Sequence, residues 1–154
     1  MEIPTLSEEE KRDMMREIFV LNKQIDVGFI MQMGTEKMSE YAEMTSQQYA
    51  NMLQAQGKDN AIGFAMSEAI VRKNLMGSDV EVDGNAGEAT LNLKRDGFLM
   101  TAINLIKKGL LPISKEDFQH GCIEGYFKPR AEKLGLKLDV EYTDEGYRIK
   151  ILKK

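Results

Sequence analysis

Apolar residues recur every three or four positions through the first half of this 154-residue chain, and every second position in two later stretches. Ser7 followed three residues later by Glu10 reads as a capping box. Met14, Met15, Ile18, Phe19 and Ile25 then recur at helical spacing, which predicts a first helix over about 8–24. The stretch "DVGFIMQMGTEKMSEYAEMTSQQYANMLQAQG" carries a stripe through Phe29, Met33, Met38, Tyr41, Tyr49 and Leu53, and predicts one long helix or two stacked ones closed by Gly57. Gly28 and Gly34 weaken its early part by about 1 kcal/mol each relative to alanine. A third helix places Ile62, Ala65, Met66, Ala69 and Ile70 on one face and ends at Gly77, with Arg72 and Lys73 in its last turns suiting the helix dipole.

The period changes at residue 78. Val80 and Val82, the turn "DGNAG", then Ala89, Leu91 and Leu93 read as a hairpin. "GFLMTAINLIKKGLLP" reads as a short helix ended by Gly109. Ser114 with Asp117 caps a second helix closed by Gly135, and "LKLDVEY", "TDEG" and "YRIKI" make a second hairpin. The predicted order is ααα-ββ-αα-ββ: an α+β fold in which N-terminal helices pack with an antiparallel sheet made of two hairpins. The expectation is a single domain over 1–154, with a helical half (1–77) and a mixed half (78–154).

Composition narrows the function classes. The net charge is −4 and the pI about 5.2, with scattered lysines and no basic stripe, which argues against nucleic acid and anionic membrane as partners. No run of apolar residues is long enough to span a bilayer. The start, "MEIPTLSEEEKRD", is acidic and lacks a basic-then-apolar leader pattern. A lone cysteine makes no intramolecular disulfide, so a cytoplasmic setting is expected. Eleven methionines beside no tryptophan suit irregular apolar cavities, or simple core filling, or compositional drift.

Candidate chemistry concentrates in "DFQHGCIEGYF", which holds the only histidine and the only cysteine. On a helix His120 and Cys122 lie about 160° apart, so they cannot share a metal ion or form a thiolate–imidazole pair. Ile123, Phe127, Ala131 and Leu134 fall on one apolar stripe with His120; Phe118, Cys122 and Tyr126 fall on another. One stripe suits the sheet; the other must meet the N-terminal helices, a partner chain or a ligand. Gly121 and Gly125 thin the helix surface, and Pro129 cannot donate to the carbonyl of Gly125, so a kink or break is expected there. Cys122 reads as a small buried hydrophobe, or as a nucleophile; His120 reads as a partner of Glu124, or as a polar anchor. One Cys and one His fall short of a structural zinc set, so no metal site is assigned, and the sequence names no cofactor.

"CIEGYFKPRAEKLGLKLDVEYTDEGYRIKI" resembles the closing segment of the 4-vinyl reductase-like domains, through Cys122, Gly125, the Leu134–Gly135 turn and the hairpin around Val140 and Ile149. In outline the chain is also similar to the L-2-amino-thiazoline-4-carboxylate hydrolase-like family. The first resemblance implies a cavity between helices and sheet for a small hydrophobic molecule, often within a dimer. Members of that family often carry further cysteines in the last hairpin. "VEYTDEGYRIKI" has none, which removes any metal those cysteines serve. The expected function is therefore binding or sensing of an apolar or mixed small molecule by a homodimer. Phe118, His120, Cys122, Tyr126 and Phe127 are the expected lining residues, with Tyr41, Met33 and Met66 as contributors. The alternatives are a small hydrolase-like enzyme using Cys122 or His120, and a dimeric structural or regulatory interaction protein.

Overall fold

The computed structural model describes residues 4–154; Met1 to Ile3, the first residues of the acidic start, lie outside the described residues. The elements are α1 (Glu8–Gln32), α2 (Thr35–Ala55), α3 (Ala61–Asn74), β1 (Asp79–Gly84), β2 (Glu88–Arg95), α4 (Gly97–Lys107), α5 (Lys115–Cys122), a π-helical turn (Ile123–Phe127), α6 (Lys128–Lys133), β3 (Leu136–Tyr142) and β4 (Tyr147–Lys153). Because α5, the π turn and α6 run without interruption, they form the single helix expected after Ser114. The fold is α+β, and all four strands pair antiparallel in the order β1-β2-β4-β3. The second hairpin docks onto the first through β2 and β4, with Leu91 opposite Ile149 and Ala89 opposite Ile151.

One face of the sheet is buried. Ala89, Leu91, Leu93, Tyr147, Ile149 and Ile151 point into it at period two, while Glu88, Arg148 and Lys150 stay exposed. α3 lies across β1, β2 and β4, and α6 packs on β3. α1 and α2 form an outer layer that touches α4, α6 and the π turn. One cluster of buried side chains runs from Val20 through Phe64 and Leu91 to Ile151, so the helical and mixed halves share a core.

Three sequence expectations are corrected here. The first helix does not end near residue 24 but runs through Gly28 to Gln32. A glycine inside a helix costs stability without forbidding it; the chain breaks at Gly34, whose φ of 112° suits glycine alone. Second, the stripe that marks α1 as a helix, which the sequence left without a partner, is not its buried face: Val20 is the one buried residue described in α1, and Ile18 and Ile25 face outward. Third, α3 buries Ala61, Phe64, Ala65, Glu68, Ala69 and Arg72, leaving Met66 and Ile70 outside. Its true inner face carries two charges, which no hydrophobic pattern selects.

Methionine is not core filler in this fold. Met76 is the one buried methionine among the described residues, and most of the others are exposed.

Candidate functional site

Pro129 lacks an N–H and would leave the Gly125 carbonyl unpaired in a regular helix. The chain widens instead. The N–H of Lys128 donates to the carbonyl of Ile123, five residues back, which defines the π turn. The expected kink is thus a one-turn bulge, a feature frequent at functional sites. It leaves the rod with two faces. Ile123, Phe127 and Ala131 are fully buried on the core side. Gly121, Cys122, Gly125 and Tyr126 turn toward α1 and α2 and line a cavity of about 330 Å³.

That cavity lies between the inner and outer helices. No strand residue lines it, so it sits on the opposite side of the inner helices from the hairpins. The family resemblance implies a position between helices and sheet; this cavity lies one layer further out, with α3 and α6 between it and the sheet. The size is at the lower end for small-molecule sites. α1 supplies Phe19, Lys23 and Val27, α2 supplies Met38 and Tyr41, and α3 supplies Val71 and Arg72, with Met76 just past its end. Phe98 and Phe118 form an aromatic corner with ring centroids 5.2 Å apart, and Phe19 meets Phe98 edge-on at 5.7 Å.

The polar side of the cavity is built from two guanidinium–aromatic stacks that share Tyr126. Arg130 lies 3.5 Å from the Tyr126 ring centroid and 4.1 Å from that of Tyr49. Arg72 lies 5.2 Å from Phe98, 5.2 Å from Phe127 and 5.8 Å from Tyr126. Each arginine has a buried carboxylate behind it. Arg72 Nη1 donates to both oxygens of Asp96 at 3.0 and 2.8 Å, and Arg130 Nη1 donates to Glu68 at 3.3 Å. Burial works against the charge on Arg72, but Asp96 foremost outweighs it and raises the pKa. Among the described residues Nη1 is the one Arg72 nitrogen that donates a hydrogen bond, so this guanidinium reaches the cavity with donors to spare. Lys23 completes the set: it donates to the Tyr41 hydroxyl at 2.6 Å and forms no ion pair among the described residues. The cavity wall thus carries three cations against one carboxylate, Asp117, which is already bonded by the Ser114 hydroxyl.

Burial pushes the Tyr126 phenol up to about 12, helped by Glu68 and opposed by the two arginines, so it stays a donor at neutral pH. Cys122 lines the same cavity. Burial pushes its thiol up to about 12; the nearby Arg72 pulls the other way and does not prevail. The Tyr147 hydroxyl lies buried beside that thiol. A thiol held that high has a thiolate fraction roughly a thousandfold below that of a free cysteine. Iodoacetamide at neutral pH is therefore expected to label native Cys122 at least ~100-fold more slowly than the unfolded chain. Labelling at the unfolded rate would show the thiol to be activated and accessible.

Of the residues expected from the sequence, Phe118, Cys122, Tyr126 and Tyr41 come together around the cavity. The other four stand elsewhere. Phe127 is fully buried in the core beneath it. Met33 caps the exposed end of α1, and Met66 is on the outer face of α3. His120 is exposed, stacked on Tyr142 at 4.5 Å, while its expected partner Glu124 pairs with Lys128. Regular helix separates His120 from Cys122, and no three His, Cys, Asp or Glu side chains converge as metal ligands among the described residues. Sequence reasoning missed Arg72, Arg130, Lys23 and Phe98. A signal for Arg72 is present: Ala61, Ala65, Glu68 and Arg72 share one helical stripe, and small residues mark a face that packs closely.

No protein-family model, no curated protein and no solved structure matches this chain.

Proposed function

We propose that this protein binds or senses a small molecule with an apolar body and an anionic or acceptor-rich end, in the manner of a 4-vinyl reductase-like ligand-binding domain. The observation that carries the reading is the cavity between α1–α2 and the α5–π–α6 rod. Its aromatic and methionine walls suit a flat or short-chain body, and Arg72 and Lys23 offer donors that the protein itself does not use up. A carboxylate facing a stacked, partly desolvated guanidinium gains charge-assisted hydrogen bonds that a neutral hydroxyl does not.

The hydrolase-like alternative has less behind it. Cys122 lines the cavity but is held as a thiol, and His120 stands outside it. A cytoplasmic setting fits the single buried thiol, which needs no oxidising compartment. Among the described residues no helix is long and apolar enough to cross a membrane.

The test is calorimetric titration with two matched pairs: 1-naphthoate against 1-naphthylmethanol, and dodecanoate against dodecanol. In at least one pair the carboxylate is expected to bind about tenfold or more tighter than the alcohol. If none of the four binds, the reading fails; if acid and alcohol bind alike, the cavity is apolar only and the assigned end group is wrong.

A further inference from the structure

α1 is mounted with its polar side toward the protein and its apolar side toward solvent. At about 100° per residue, Met15, Ile18, Asn22, Ile25 and Phe29 fall within an arc of about 80° centred opposite Val20, the buried residue. Their spacing alternates three and four, the a/d repeat of a coiled-coil seam sustained over two heptads. The large apolar side chains of this stripe, with Met14, Phe19 and Met33 beside it, are between 41 and 67% exposed. Such a band, on the order of several hundred Å², exceeds what a monomer ordinarily leaves in water and approaches one partner's share of a standard interface.

We infer that this seam packs antiparallel against α1 of a second copy of the chain, about a two-fold axis beside Phe19 and Leu21. The seam is complementary to itself in that arrangement. Met15 meets Ile25 of the second copy, Ile18 meets Asn22, and Phe19 meets Phe19 across the axis. On one flank Arg12 comes opposite Asp26 of the second copy, and the two-fold repeats this contact. Within one chain both are exposed and neither is in an ion pair among the described residues. On the other flank Met14 faces Gly28, where a Cβ would meet nothing within 4 Å. A parallel pair would instead set Asp26 against Leu21 and leave Arg12 unmatched. Asn22 is the one polar residue of the seam and, set opposite Ile18 of the second copy, costs stability there. The helix holds six acidic against four basic residues, which disfavours an anionic lipid surface as occupant. The inner side of the same helix carries Lys23 and Val27 of the cavity wall, so pairing would brace that wall from outside.

Sedimentation velocity over a range of concentrations tests this, with circular dichroism as the fold control. The wild-type chain is expected to be dimeric at micromolar concentration. Ile18→Glu with Ile25→Glu, both at exposed positions, is expected to keep the helical spectrum and raise the dimer dissociation constant at least ~100-fold. Arg12→Asp alone is expected to weaken the dimer about tenfold, and Arg12→Asp with Asp26→Arg to restore it. Asn22→Leu is expected to tighten association and admit larger assemblies. A wild-type chain that stays monomeric at the highest soluble concentration overturns the proposal. So does a dimer that survives the double glutamate variant, or a charge reversal that fails to rescue. Co-sedimentation of wild-type protein, but not the glutamate variant, with phosphatidylcholine–phosphatidylglycerol vesicles would assign the seam to a lipid surface instead.

Discussion

Asp96→Ala is expected to destabilise the fold by about 3–5 kcal/mol and to lower the melting temperature by roughly 6–20 °C. Asp96 is fully buried and serves several groups at once. It accepts from Arg72 Nη1, from the Ser78 hydroxyl at 3.1 Å and from the Phe98 N–H at 3.2 Å, where it caps α4. Removing it strands the Arg72 charge in the interior and uncaps a helix. An isolated buried cation is far costlier than the absence of the pair. Arg72→Met with Asp96→Asn is therefore expected to recover most of the loss, since asparagine still caps and methionine fills the arginine's volume. Guanidinium unfolding of the three chains measures this. Equal destabilisation in the single and double variants would mean that capping and packing, and not the stranded charge, set the cost. The double variant has a second use: its preference for naphthoate over naphthylmethanol is expected to fall several-fold, because the guanidinium nearest the apolar wall is gone and Lys23 remains.

The second large effect concerns room. Gly121 and Gly125 are helical glycines without a positive φ, and a Cβ at either meets nothing within 4 Å. Backbone geometry therefore does not require glycine, and alanine at Gly121 is expected to raise stability by about 0.5–1 kcal/mol. Both line the cavity. Gly121→Phe is expected to fill it and to weaken naphthoate binding at least ~100-fold, with the melting temperature held within a few degrees. Stability and binding thus move separately at one position. A Gly121→Phe chain that binds as the wild type does would place the ligand elsewhere.

Most of the architecture was legible because it rests on local rules. Ser7 and Glu10 form the reciprocal capping box, Ser114 caps α5, and both hairpins keep their alternation, with Leu91, Ile149 and Ile151 buried as period two requires. What was not legible needs partners distant in sequence. Glu68 and Arg72 look like the solvent side of α3, yet they face inward because Arg130 and Asp96 meet them there. That error rotated the helix and put Met66 forward in place of Arg72. The apolar stripe of α1 was read correctly as helix, but periodicity does not say whether the apolar side meets its own core or another surface. The "HGC" triplet shows the converse: helical angle alone separated Cys122 from His120, although His120, expected as a lining residue, stands outside the cavity on Tyr142. The second face of that helix is the floor of the cavity.

The most direct measurement is a methyl NMR titration, with methionine methyls labelled, as 1-naphthoate is added. Met38 and Met76 line the cavity, Met14 and Met15 lie outside on the α1 seam, and Met52 and Met66 lie on other exposed faces. The expected result is saturable shifts at Met38 and Met76, absent from Met52 and Met66 and abolished by Gly121→Phe. Shifts confined to Met14 and Met15, or none at Met38 and Met76 up to the solubility of the probe, would contradict a ligand site between these helices.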